Sequence, residues 1–509
     1  MPHTIVLDGS PLSTKQVAQV AGGAPLRLLD CAARRMDDLR GRMLREASRA
    51  APIYGVNTGF GSFAGVRIDD AQLNQLQENI VLSHAAGTDA PMGVDVSRAM
   101  TAVCAASLAR GHSGARSALV RSLIDHLNAG IVPVIPGVGS VGASGDLAPL
   151  AHMAQMLLGR GMVHFRGELA AARFAQVSTG LQSCSLEAKE GLALLNGTHF
   201  MSATGALLCE GSDRLLRAAT LAAAMAIDGC RCTDAFLDAR LHVVRNQHGQ
   251  QRIASRLREC LEGSTILTSH VENDPRVQDP YAFRCAPQVL GAACDSLDFV
   301  RGAIERELGA VTDNPLVFDR ADGGADVISG GNFHGMPLAI PLDLLRIALA
   351  HIAGISERRV FWALSGHDRH SGVPAHLSPE AGLQSGYMIT QYTAAAACNE
   401  LQVLAHPASV HNVPTCAGIE DYNSMGATGA RLALRSLHLA VRVVAIEFLC
   451  MAEALECHRP LQSGARVEHA REVIRTAIGP LAKDRSPSPD IEAIAAMIEA
   501  GKFDSIAAA

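Results

Sequence analysis

Residues 139–149 read GSVGASGDLAP, with no aromatic, no cation and one acid, Asp146. Residues this small let a backbone fold onto itself. Gly145 has no Cβ and tolerates the tight bend that brings its amide nitrogen to the carbonyl carbon of Ala143. Attack there, with loss of water, closes a five-membered ring. Loss of the Ser144 hydroxyl leaves an exocyclic methylidene. The product is 4-methylidene-imidazol-5-one, an electrophile made from the chain itself. The same residues also read as an ordinary turn in which Ser144 or Asp146 caps the next helix.

Other stretches compete for a chemical role. GVGSVG (137–142) fits the GxGxxG dinucleotide pattern, but Pro133 and Pro136 spoil the parallel strand that must precede it. HDRH (367–370) pairs two histidines, yet HExxH is absent and the surroundings read as a polar loop. A pyridoxal phosphate enzyme needs a Schiff-base lysine. Of the four lysines only Lys189 falls in an apolar stretch, with no phosphate-cradling loop beside it.

YGVNTGFG (54–61), GSVGASGDLAPLAHM (139–153), KEGLALLNGT (189–198), QDPYAFRC (278–285), TDNPLVF (312–318) and SGGNFH (329–334) occur together and in this order. From about residue 50 to 460 the chain resembles the aromatic amino-acid ammonia-lyase family, and within it most the branch that acts on histidine. The resemblance implies a carbon–nitrogen lyase that converts L-histidine to trans-urocanate and ammonia. The alternative it leaves is a lyase or aminomutase for tyrosine, phenylalanine or a modified amino acid. It implies a ring closed from Ala143, Ser144 and Gly145, with no external cofactor and no metal. It assigns the base at the β-carbon to Tyr54, whose phenol ordinarily titrates near 10, so the site must lower it. Arg284 matches the arginine that takes the substrate carboxylate in a bidentate fork. Asn196, Gln278 and Tyr281 match residues that hold substrate or ring by hydrogen bonds, and Phe333 one that packs close to the ring. His84, in SHAAG, and Glu420, in GIEDYNSMG, match the residues directed at the imidazole. Gly418 and Ile419 stand where the family usually has Asn-Gln, a departure that bears on substrate preference. Relatives are tetramers with mixed sites, so the expectation is a homotetramer whose Tyr54, Arg284 and Glu420 loops do not all come from one chain.

These residues need a scaffold. The chain has 509 residues, 48% hydrophobic and 18% charged, with a net charge of −6. That suits a large buried core and offers no basic face to nucleic acid or an anionic membrane. A small amino acid is the expected partner. The most apolar stretch, LLRAATLAAAMAI (215–227), is too short for a bilayer, which needs about 20 apolar residues, and no secretory signal is evident. Thirteen scattered cysteines without a CxxC read as reduced thiols in a cytoplasmic protein. Short segments and Gly/Pro turns fill the first part. Long Ala/Leu-rich stretches follow at 199–228, 286–310, 338–364, 387–405 and 425–457, the last with a polar stripe of Arg431, Arg435, His438 and Arg442. The expected fold is mainly α. A loop-rich N-terminal region, 1–197, carries the ring-forming and Tyr54 loops. It sits on a central bundle of long helices, 198–458, followed by a helical segment, 459–509.

Overall fold

The computed structural model describes residues 3–49, 53–59, 61–63, 65–272 and 274–508. The five long stretches are helices: His199–Gly229, Ala286–Leu308, Met336–Leu364, Met388–Leu404 and Gly426–Glu456. Ala and Leu have high helix propensity, and a run this long dilutes any local conflict. Among the described residues, strands are two to four residues long and confined to 5–171 and 316–328.

Packing gathers the chain into two compact units. One is Met1–Glu210 with Arg301–Asp343 and Pro407–Arg431; the other is Gly211–Val300 with Leu344–His406 and Leu432–Ala509. Four of the five divisions fall inside long helices and the fifth follows helix Met388–Leu404; none falls at 197/198 or 458/459, where the sequence changes character. Composition reports helix formation. It does not report which neighbours each end of a helix packs against.

In the first unit, helix Val94–Leu108 is buried from Val96 onward, against Thr14–Ala21 and Ser117–Asn128. Val132–Pro133 pairs antiparallel with Met162–Phe165, and Pro136–Val138 with Thr88–Pro91. No parallel strand therefore leads into GVGSVG. Val56 packs in a cluster with Leu39, Met43, Val317 and Ala325, joining helix Asp30–Arg49 to the hairpin Leu316–Asp319/Ala325–Ile328. This anchors the loop that carries Tyr54.

In the second unit, a Cβ at Gly229 would lie 3.1 Å from that of Ala454, so small residues let helices His199–Gly229 and Gly426–Glu456 approach closely. Arg359 and Glu447 form a fully buried pair, with Nη2 donating to Oε2 at 2.9 Å. On the polar stripe, Arg435 meets Glu400, and Arg442 meets Glu492 and Glu499. Helix Met336–Leu364 is long and apolar enough to cross a membrane, a property the sequence reading did not single out. Of its most apolar window 61% is buried inside the protein, and the helix also carries the buried Arg346 and Arg359.

Candidate active site

Gly145 sits at φ +76°, and a Cβ there would lie 2.2 Å from the Gly197 carbonyl oxygen. Only glycine fits. Gly145 and Gly197 form a parallel bridge, and the Asp146 N–H donates to Gly197 O at 2.8 Å. On the other side, Ser424 Oγ donates to Gly142 O at 2.9 Å and the Met425 N–H to Val141 O at 2.9 Å. Asp146 lies at the start of helix Leu147–Leu157 but gives it no side-chain cap. Its carboxylate turns instead to helix His199–Gly229, accepting from the Phe200 and Met201 N–H groups at 3.0 Å each, and from Ser140 Oγ at 3.0 Å. Burial pushes Asp146 up to about 7, against these three hydrogen bonds. The stretch is thus clamped from several sides, with Ala143 buried and no room at Gly145 for a side chain. These residues fit the cyclised 4-methylidene-imidazol-5-one ring.

Ser144 lines a cavity of about 580 Å³ with Tyr54, His84, Asn196 and Glu420, walled by Leu76, Ile80, Leu147 and Leu192. Ser144 Oγ donates to Glu420 Oε1 at 2.8 Å, and Thr415 Oγ1 to Glu420 Oε2 at 2.9 Å. The Gly61 N–H donates to Tyr54 OH at 3.2 Å. Sequence reasoning required a lowered Tyr54 phenol, and the structure gives the opposite direction. Burial raises it most, and the nearby Glu420, Cys416 and Asp313 raise it further, while the Gly61 N–H pulls it down. Burial holds His84 below the ordinary imidazole range, opposed by the Ile80 carbonyl and Glu420, so His84 is neutral near pH 7. Its Nδ1 lies 3.0 Å from Ser83 Oγ. Asn196 is buried at the end of helix Glu190–Leu195 and donates from Nδ2 to Asn314 O at 3.1 Å.

Phe333 is half-buried beside Gly335, whose N–H donates to Gly142 O, but it does not line this cavity. Gln278, Tyr281 and Arg284 belong to the second unit and line a cavity of their own, about 480 Å³, with Arg276, Trp362, His367 and Asp368. The Arg284 guanidinium stacks 4.5 Å from the Tyr281 ring centroid, and its buried Nε has no hydrogen-bond partner among the described residues. Asp368 of the HDRH stretch is engaged by Arg276 at 3.1 Å and by Trp362 Nε1 at 3.2 Å. No group of three or more His, Cys, Asp or Glu among the described residues is arranged to hold a metal ion. Sequence reasoning missed Gly197, Ser424 and Thr415. Gly197 had a signal, the Asn-Gly turn pair; Ser424 and Thr415 had none, because a hydroxyl declares a role only through what it touches.

The family described as aromatic amino acid lyase matches residues 12–476. A histidine ammonia-lyase of Anaeromyxobacter sp. (strain K) is 43% identical over 511 residues, covering 99% of this chain and 100% of that protein. The solved structure of histidine ammonia-lyase from Trypanosoma cruzi has a TM-score of 0.91 at 35% identity, covering 99% of this chain and 95% of that one. A tyrosine aminomutase from Streptomyces globisporus has a TM-score of 0.93 at 30% identity, covering 99% and 98%.

Proposed function

The chain belongs to the aromatic amino acid lyase family, and from that premise we propose that it eliminates ammonia from L-histidine to give trans-urocanate. The observation that carries this reading is that His84 and Glu420 line the same cavity as Tyr54 and Ser144. A carboxylate and a neutral imidazole together offer partners to both nitrogens of a histidine side chain. A wholly apolar pocket would leave them unpaired, at about 1–3 kcal/mol for each.

The ring closed from Ala143, Ser144 and Gly145, when formed, supplies an electrophilic carbon that makes the substrate's amino group part of a better leaving group. The remaining work falls to side chains. Tyr54 takes the β-proton, and the Gly61 N–H at 3.2 Å stabilises the phenolate. Loss of the Ser144 hydroxyl frees Glu420 Oε1 for an imidazole N–H, while Thr415 keeps the carboxylate oriented through Oε2. Asn196 holds the substrate or the ring from the cavity wall. Arg284, whose Nε has no hydrogen-bond partner among the described residues, takes the substrate carboxylate, aided by Gln278 and Tyr281. Phe333 packs close to the ring.

We assign the Arg284 loop to a neighbouring subunit of a homotetramer. Helix Met388–Leu404 supports assembly: it buries only Thr390, Ala394 and Leu401 and leaves Ile389, Tyr392 and Val403 exposed. All thirteen cysteines are free thiols, which supports work in a reducing cytoplasm.

The test is purified enzyme with L-histidine, L-tyrosine and L-phenylalanine, following the conjugated product by absorbance and any β-amino acid by chromatography. The expected result is the highest kcat/KM for histidine, with one ammonia released per urocanate. A β-amino product, or preference for tyrosine, would replace this reading with an aminomutase one.

A further inference from the structure

Lys189 has no task in the chemistry above, yet it is fully buried. Its Nζ lies 2.6 Å from Asp313 Oδ2, and Asp313 is itself buried. The Lys189 backbone is at φ +75°, a left-handed conformation that a non-glycine residue keeps only where its surroundings over-determine it. We infer that Lys189 and Asp313 are positioning residues, whose ion pair fixes the segment that carries Asn196 into the cavity. This inference rests on the lyase reading above.

Three contacts join residues 189–198 to residues 312–314. They are Lys189 to Asp313 at 2.6 Å, Asn196 Nδ2 to Asn314 O at 3.1 Å, and the Thr198 N–H to Thr312 Oγ1 at 3.2 Å. Helix Glu190–Leu195 spans the gap between Lys189 and Asn196, is buried throughout, and acts as a short rigid spacer. Gln77 Oε1 accepts from the Gly191 N–H at 2.9 Å and holds the start of that helix. Removing either partner would strand a buried charge, so the pair works as a unit. Shifting one end of the spacer displaces the amide at the other.

Asp313 of the pair also reaches Tyr54 electrostatically. The ionisable groups that raise Tyr54 are Glu420, Cys416 and Asp313, with the Gly61 N–H as donor. Arg40 is the other cation acting on Lys189, and the Asn314 N–H donates to Asp313 Oδ1. A base works in its deprotonated form. Lys189→Met, which leaves the Asp313 charge uncompensated, should move the acidic limb of the pH–rate profile to higher pH. Asp313→Asn, which leaves the lysine, should move it lower. A purely structural staple would move neither.

The experiment uses the assembled enzyme with Lys189→Met, Asp313→Asn and the double variant, each assayed with the amino acid that the wild type turns over best. kcat is normalised to the fraction of chains that have lost two waters by intact mass. The expected result is a drop in kcat of about ten- to a hundredfold in the double variant, with a much smaller change in KM, and opposite limb shifts in the single variants. A folded double variant with wild-type kcat would overturn the inference, as would unshifted limbs in both single variants. If the double variant does not fold, Asp313→Asn decides alone, because it keeps the size and an acceptor for Lys189; wild-type kcat and an unshifted limb would then overturn the inference. Because every rate is read against the wild type on its own best substrate, failure of histidine turnover would sink the substrate reading and leave this test standing.

Discussion

Glu420 touches Ser144, Thr415 and the field around Tyr54, so single substitutions here separate roles. Ser144→Ala removes the hydroxyl whose loss creates the methylidene. Intact mass should show the chain without the loss of two waters and turnover should be nearly abolished, while the thermal midpoint stays close to wild type because Ser144 is only half-buried. Near wild-type turnover would sink the ring assignment. Glu420→Gln should cost histidine about 1.5–3 kcal/mol in kcat/KM, the worth of a hydrogen bond to a charged group, and phenylalanine far less. His84→Leu should likewise lower histidine use and admit phenylalanine weakly. Equal losses for both amino acids would remove these two residues from specificity. Tyr54 acts deprotonated, so kcat/KM rises with pH through its titration, and burial places that limb on the alkaline side. Glu420→Gln deletes one of the charges that raise Tyr54, so the limb should also move to lower pH.

At the scale of the element, two buried titratable groups meet at the start of helix His199–Gly229: its own His199, and Asp146, which accepts from the Phe200 and Met201 N–H groups. His199 is fully buried and its Nε2 has no hydrogen-bond partner among the described residues. Burial holds it down at about 4, against an ordinary 6.5. A depressed base binds fewer protons when folded, so its stability contribution is present above the ordinary value and is lost as pH falls toward 4, at most about 3 kcal/mol. Asp146 is raised from 3.8 to about 7. A raised acid binds more protons when folded, so its contribution is present at low pH and fades as pH rises from 3.8 through about 7. Between pH 4 and 6.5 the two slopes oppose, and the wild-type thermal midpoint should vary little. Asp146→Asn removes one of them, so its midpoint should climb with pH across that window. A variant curve parallel to wild type would show that Asp146 does not titrate there.

For the whole molecule, the prediction concerns assembly. Tyr54 and Glu420 lie in one compact unit and line one cavity, while Arg284 lies in the other unit and lines another. If a catalytic centre combines them across subunits, Tyr54→Phe and Arg284→Ala chains should each be inactive alone, and coexpression should restore part of the turnover in mixed tetramers. Light scattering should give four chains per particle. A fully active monomer, or mixed chains without recovery, would refute shared sites.

Much of this protein was legible from its chain because the signals are local. GSVGASGDLAP permits ring closure by its small residues, since the reacting atoms are two residues apart, and the other motifs in their order single that reading out from an ordinary turn. The long helices were legible because Ala and Leu persist over 17 to 31 residues, enough for propensity and periodicity to agree. Tertiary structure decided whatever depends on residues remote in sequence. Asp146 meets Phe200 across 54 positions, and Lys189 meets Asp313 across 124. Neither stretch names its partner, because a carboxylate or an ammonium pairs with whatever the fold brings near. The direction of the Tyr54 shift was misread for the same reason: it follows from burial and from the ionisable groups of Glu420, Cys416 and Asp313, none of them its neighbours in the chain. The chain order of motifs identified the chemistry, but the desolvation and fields that tune it are summed over space, and only the folded chain defines that sum.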